Sequence, residues 1–140
     1  MTMDPIQPFA REIEEAVLAY VATWNSNDPA KVDALLEACW AEDGVIHSNF
    51  ERIDGRAALA ERIKAWRKQN PRNRAVFTTG IEHHHRFFRF AGIVYDGRGE
   101  PYSPTLDVGE LDTNGRIKQI ITFHLEMGRP PLHWPAELRA

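Results

Sequence analysis

The order of hydrophobic periods along this chain predicts an α+β fold, with helices gathered on one face of a curved, mainly antiparallel sheet. Three observations carry that expectation. Apolar residues recur at helical spacing through the first half, the period changes to two from Arg74 onward, and Asn114-Gly115 marks a hairpin late in the chain. Helices first and strands afterwards argue for segregated layers rather than alternating βαβ units.

Phe9, Ile13, Val17, Tyr20 and Trp24 follow one another at spacings of four, four, three and four, which is one face of a helix. Asn25-Ser26-Asn27-Asp28 ends it, and Asp28-Pro29 starts the next, with Asp28 as N-cap and Pro29 as first helical residue. That second helix buries Val32, Leu35, Leu36 and Cys39, after which Gly44 opens a strand over Val45–Phe50. Asp54-Gly55 begins a third helix with Leu59, Ile63 and Trp66 on its apolar face, Arg62, Arg67 and Lys68 elsewhere, and Pro71 at its end. Strands are then expected over Val76–His85 and Phe87–Tyr95, broken near the histidines or Arg86, and over Tyr102–Leu111 and Arg116–Glu126. Pro130, Pro131 and Pro135 make the tail, about 127–140, an extended strap beyond a single domain whose core spans about 8–126.

With Asn114-Gly115 as a two-residue turn, Thr113 faces Arg116, which places Asp107 opposite Thr122, Thr105 opposite His124 and Gly109 opposite Ile120. Those residues share one sheet face, and Leu106, Val108, Ile121 and Phe123 share the other. Because both faces carry residues suited to burial, the first is expected to wall a pocket under the helices. The second is expected to meet another copy of the chain in a homodimer.

At 140 residues, 43% apolar and 26% charged, the chain can build one ordinary globular core. A net charge of -3 gives no general attraction to nucleic acid or anionic membrane, and neither partner is expected. Single Cys39 forms no intrachain disulfide, no run approaches a membrane span, and no basic-then-apolar leader opens the chain, so a cytoplasmic location is expected.

The order of elements, with Tyr20-Val21-Ala22-Thr23-Trp24-Asn25-Ser26-Asn27-Asp28, Cys39-Trp40-Ala41-Glu42-Asp43-Gly44-Val45-Ile46 and Asp54-Gly55-Arg56-Ala57-Ala58-Leu59, resembles the SnoaL-like branch of the NTF2-like superfamily. The resemblance implies a cystatin-like cone, three N-terminal helices packed in a strongly curved, mainly antiparallel sheet around a pocket. That fold hosts isomerases, cyclases and dehydratases as well as non-catalytic binding proteins. In the distantly similar ketosteroid isomerases, a helix tyrosine and a protonated aspartic acid hold the substrate oxygen while a second aspartate moves the proton. The resemblance puts Tyr20 and Asp107 at the first two positions, Ser48 at the proton-transfer position, and Ile120, Thr122 and His124 among the ligand contacts. An alkyl hydroxyl is no base near neutral pH, so Ser48 departs from that chemistry.

A carboxyl in an apolar cavity has its ionised form disfavoured, which makes Asp107 the candidate acid or hydrogen-bond donor and Tyr20 its companion. His124 is the candidate base, because imidazole titrates near working pH. Trp24, Ser48, Phe50, Ile120 and Thr122 are the candidate substrate contacts, and neither cofactor nor metal is expected. His83-His84-His85 offers only two histidines on one side of a strand, too few for Zn²⁺, and reads as a polar strand end or dimer rim. Arg86 and Arg89 are expected to pair with Glu82 or another carboxylate. The expected activity is binding of a small, largely apolar molecule, with acid/base chemistry of isomerase, cyclase or dehydratase type. The rival expectation is a non-catalytic binding or assembly domain whose pocket is plugged by Trp24, Phe50, Phe90 or Trp134.

Overall fold

The computed structural model describes residues 6–125 and 135–138. Its elements run α1 (Ala10–Thr23), α2 (Pro29–Cys39), β1 (Trp40–His47), β2 (Arg52–Asp54), α3 (Arg56–Gln69), β3 (Arg74–Phe77), β4 (Glu82–His84), β5 (Phe87–Tyr95), β6 (Pro101–Leu111) and β7 (Ile117–His124). A single 3-10 turn covers Ala136–Leu138. Glu126, Trp134 and most of the expected strap lie outside the described residues. Three helices cover one face of a seven-stranded sheet ordered β2-β1-β7-β6-β5-β3, with β4 also on β5. Among the described residues only β1 and β7 pair in parallel, so the α+β, mainly antiparallel expectation holds.

The helices form for the reasons their sequences give. Ile13, Ala16, Val17 and Tyr20 are the buried stripe of α1. The Asp28 side chain accepts the Ala30 N–H at the start of α2, and Pro29 occupies a position that needs no donor. Leu59 and Ile63 anchor α3 with no exposure. Arg67 does not sit on a solvated face as its charge suggested. It is buried, its guanidinium donating to Asn27 Oδ1 and the carbonyls of Asn73 and Pro71 at 2.8, 2.6 and 2.7 Å, and burial lowers its pKa. Asn25 makes a second tie, exchanging two 2.8 Å bonds with the backbone of Ala75 to fix the end of α1 on β3. Buried Cys39 has its thiol pushed up to about 12 by desolvation.

Four strand expectations need correction. β1 starts at Trp40, not beyond Gly44, and ends at His47, not Phe50. Three extra residues bulge between the Trp40↔Ile117 and Val45↔Gln119 pairs, and the Trp40 indole lies where a Cβ on Gly44 would be, 2.5 Å from Nε1. Val76–His85 is two strands. Thr78 to Ile81 interrupt it, with the Thr79 hydroxyl receiving the Ala91 N–H in place of a backbone carbonyl. β2, three residues long with charged side chains at two of them, was not foreseen.

The hairpin is the fourth. Its turn is Thr113-Asn114-Gly115, closed by Asp112 N–H to Arg116 O at 2.7 Å, with Gly115 at φ +79°. The pair Leu111↔Ile117 is therefore offset by one residue from a two-residue turn. Lys118 is an extra residue in β7, however, and from Glu110↔Gln119 onward the expected register returns. Asp107↔Thr122, Thr105↔His124 and Gly109↔Ile120 stand as predicted because two one-residue offsets cancel. Asp107, Gly109, Ile120 and Thr122 are buried on the inner face, and Val108, Ile121 and Phe123 are exposed on the outer.

Candidate functional site

The inner face of β5, β6 and β7 curves under α1 and α3 and leaves a cavity of about 320 Å³ between them. Its deep end is built from Tyr20, Phe90, Asp107 and Thr122, all buried, and its mouth from Phe50, Glu51, Arg62, Tyr102, Ser103 and His124. Trp24, Ile46, Ile53, Trp66 and Phe77 make most of the apolar wall between. Phe50, one of the bulky residues that the rival expectation places in the cavity as a plug, is 78% exposed at the rim and leaves it open. Trp24 stands edge-on to Trp66 at 5.5 Å, and Phe90 edge-on to Phe77 at 5.3 Å, so both belong to the wall.

Strand alternation aims Asp107 inward, where it is 6% exposed. The Thr122 hydroxyl donates to Oδ1 at 2.5 Å and Thr105 to Oδ2 at 3.4 Å. Burial nevertheless dominates and raises the carboxyl from its usual 3.8 to about 6, the two hydroxyl donors pulling the other way. Tyr20 lines the same end, stacked on Trp40 at 5.3 Å, and its hydroxyl is not one of Asp107's bonding partners. Burial raises the Tyr20 pKa, with the Asp107 charge adding and a Trp24 hydrogen bond opposing, so the phenol stays protonated.

His124 lies one sheet diagonal away from Asp107, about 7–8 Å by the geometry of antiparallel pairs. Its Nδ1 is 3.0 Å from Ser103 Oγ, and Phe50 packs on its ring at 5.0 Å. Asn49 exchanges two bonds with the His124 backbone, extending the β1–β7 pairing by side chain. Burial lowers the imidazole pKa, opposed by the Glu51 charge, so His124 is neutral at neutral pH. Asp107, Tyr20 and His124 thus line one cavity but form a deep pole and a mouth pole rather than a single cluster.

The remaining expected contacts divide. Thr122 is Asp107's closest partner, whereas Ile120 is fully buried in the core and does not reach the cavity. Ser48 lines the cavity, yet its hydroxyl accepts the N–H groups of Phe50 and Glu51 and so builds the rim turn. Ser103, Asn49, Glu51 and Arg62 were not foreseen. Only Ser103 carried a signal, sharing the alternation of Thr105 and Asp107; the others come from a turn and a helix whose approach is tertiary.

The histidine run behaves differently from a regular strand. His85 has φ +51°, which breaks the alternation and brings its Nδ1 to 3.1 Å from that of His84. His83 is turned inward, not onto a rim, with its Nε2 3.6 Å from Glu14. Arg89 does pair with Glu82, but Arg86 donates to the Asp112 carbonyl and lies over the Phe9 ring at 4.1 Å. Among the described residues no group of three or more His, Cys, Asp or Glu is placed to hold a metal, and no helix is long and apolar enough to cross a membrane. A second, more open groove of about 510 Å³ lies between α2 and α3, where Arg67 is already occupied by carbonyls.

The SnoaL-like domain model matches residues 17–120, most of the chain and every element that builds the cavity up to the middle of β7. The chain belongs to the SnoaL-like family. A solved candidate isomerase of this family from Agrobacterium tumefaciens is 26% identical, covering 82% of this chain and 98% of that one at a TM-score of 0.76. A candidate polyketide cyclase from Sinorhizobium meliloti is 16% identical over 80% and 98% at a TM-score of 0.62. An NTF2-like protein of unknown function from Mesorhizobium loti is 16% identical over 90% and 100% at 0.68, and these two show the shared fold alone. No curated protein matches the chain. The SnoaL-like chain therefore has the NTF2-like, cystatin-like architecture that the resemblance implied.

Proposed function

We propose that this SnoaL-like protein binds a small, largely apolar molecule in the cavity and performs acid/base chemistry on its carbonyl or enol. The observation that carries the reading is an open cavity of about 320 Å³ with a buried carboxyl, raised to about 6, at its deep end. Protonated Asp107 donates to the substrate oxygen, and the protonated phenol of Tyr20 lines the same end. Neutral His124 takes a proton from the adjacent carbon, giving an enol that is reprotonated elsewhere, closes a ring by aldol addition, or expels water. The Ser48 hydroxyl cannot serve as that base. The names of two solved relatives, a candidate isomerase and a candidate polyketide cyclase, are consistent with such chemistry.

The test is loss of α-deuterium from a panel of labelled ketones and β-keto acids. Asp107→Asn and His124→Ala are each expected to slow exchange by about 10²–10³. Unchanged exchange in both variants removes the mechanism. A purely binding protein is the second reading, favoured by the hydroxyl partners that both Asp107 and His124 already have; it predicts ligand affinity with no exchange above background. In either reading a second copy of the chain covers the outer face at Leu106, Val108, Ile121 and Phe123.

A further inference from the structure

At the packing density of protein interiors, about 0.74, a cavity of about 320 Å³ encloses about 18 non-hydrogen atoms of an aromatic molecule, and a longer one can extend through the open mouth. The walls are aromatic at Trp24, Trp66, Phe77 and Phe90, which suits a flat molecule. Polar groups stand at both ends. His124 follows Thr122 by two residues on β7, about 7 Å along the strand, so the deep and mouth poles sit a ring system apart.

Charge at the mouth narrows the class further. Among the described residues, Arg62 is the only lysine or arginine lining the cavity. Its Nε lies 3.0 and 3.2 Å from the two Glu51 oxygens, and its Nη2 donates at 3.1 Å. Glu51 is itself held by the Ser48 turn. The mouth cation is thus already neutralised, and the lining's other charged group is the carboxyl of Asp107. An incoming carboxylate meets two acids and an occupied guanidinium. An uncharged oxygen can still accept from Arg62 Nη1, which has no bond to a described residue.

We propose that the cavity takes neutral, flat ring molecules with an oxygen at each end, and that Glu51, by neutralising Arg62, disfavours the corresponding carboxylates. This rests on the cavity being a small-molecule site, as proposed above. The experiment is calorimetric titration with two probes. They are a naphthalene carrying a hydroxyl at one end and a carboxamide at the other, and its carboxylate counterpart.

Above neutral pH the carboxamide is expected to bind at least about tenfold tighter than the carboxylate. Glu51→Gln should strengthen carboxylate binding about tenfold with little change for the carboxamide. Arg62→Gln should widen the wild-type gap between the two. A wild-type preference for the carboxylate, no carboxylate gain in Glu51→Gln, or a gap that Arg62→Gln leaves unwidened each overturns the inference while leaving a small-molecule site standing. If neither probe binds protein shown to be folded by circular dichroism, both the inference and the site fall.

Discussion

Asp107 is an ionisable side chain whose charge, among the described residues, is stabilised only by two hydroxyl donors, Thr122 and Thr105. Between its usual 3.8 and about 6, the folded chain keeps a proton that the unfolded chain releases. Stability therefore falls as pH rises through that window, and the full cost applies above it. Asp107→Asn is expected to stabilise the protein by about 2–3 kcal/mol near pH 8 and by almost nothing near pH 4, read by urea unfolding. Equal effects at both would contradict the raised carboxyl. Thr122→Val removes the closer donor and should move the Asp107 titration higher still. The acid works below about pH 6 and the base above the lowered His124 value, so kcat/KM for exchange should peak on the mildly acidic side of neutrality. A profile still climbing at about pH 8 would contradict these roles. At this scale Asp107 and His124 could be placed from strand alternation alone, because side-chain direction in a strand is local. Glu51 and Arg62 could not, since they meet only when the rim turn and α3 are brought together.

At the scale of elements, the β6–β7 hairpin sets the site. Asn114-Gly115 announced a turn, but Asp112 accepts the N–H groups of Asn114 and Arg116 and stretches it to three residues. The bulge at Lys118 then restores the register, and no propensity in the sequence shows that compensation. Gly109 lets the hairpin pack against β5. A Cβ there would stand 2.5 Å from the Phe88 ring and 2.6 Å from the Gln119 carbonyl oxygen. Gly109→Ala is expected to cost about 1–3 kcal/mol, seen as a drop of several degrees in Tm. An unchanged Tm would mean that the strands are not so closely apposed. The helices were the most legible elements, their caps and stripes being written in consecutive residues. The split of β3 from β4 was less so, because the Thr79 hydroxyl stands in for a backbone partner that periodicity cannot register.

For the whole molecule, order of elements was enough to read the fold class, and alternation enough to separate a pocket face from an outer face. The outer face exposes Val108, Ile121 and Phe123 by 37, 38 and 49%, with Leu106 and Phe123 paired across strands and Val108 opposite Ile121. Contiguous apolar area of this kind is characteristic of a partner surface. Sedimentation is expected to show a dimer at micromolar concentration, and Ile121→Glu to yield a folded monomer. A wild-type monomer at that concentration would sink the dimer without touching the cavity.

The central claim is that a protonatable Asp107 waits at the deep end of a cavity that admits a ligand. The most direct test follows the carboxyl carbon chemical shift of Asp107 against pH, with and without the naphthalene carboxamide probe. A midpoint near 6 that moves upward when the probe is added is the predicted result, because a ligand oxygen accepting from the acid favours its protonated form. A midpoint near the usual 3.8, indifferent to the probe, would contradict the account.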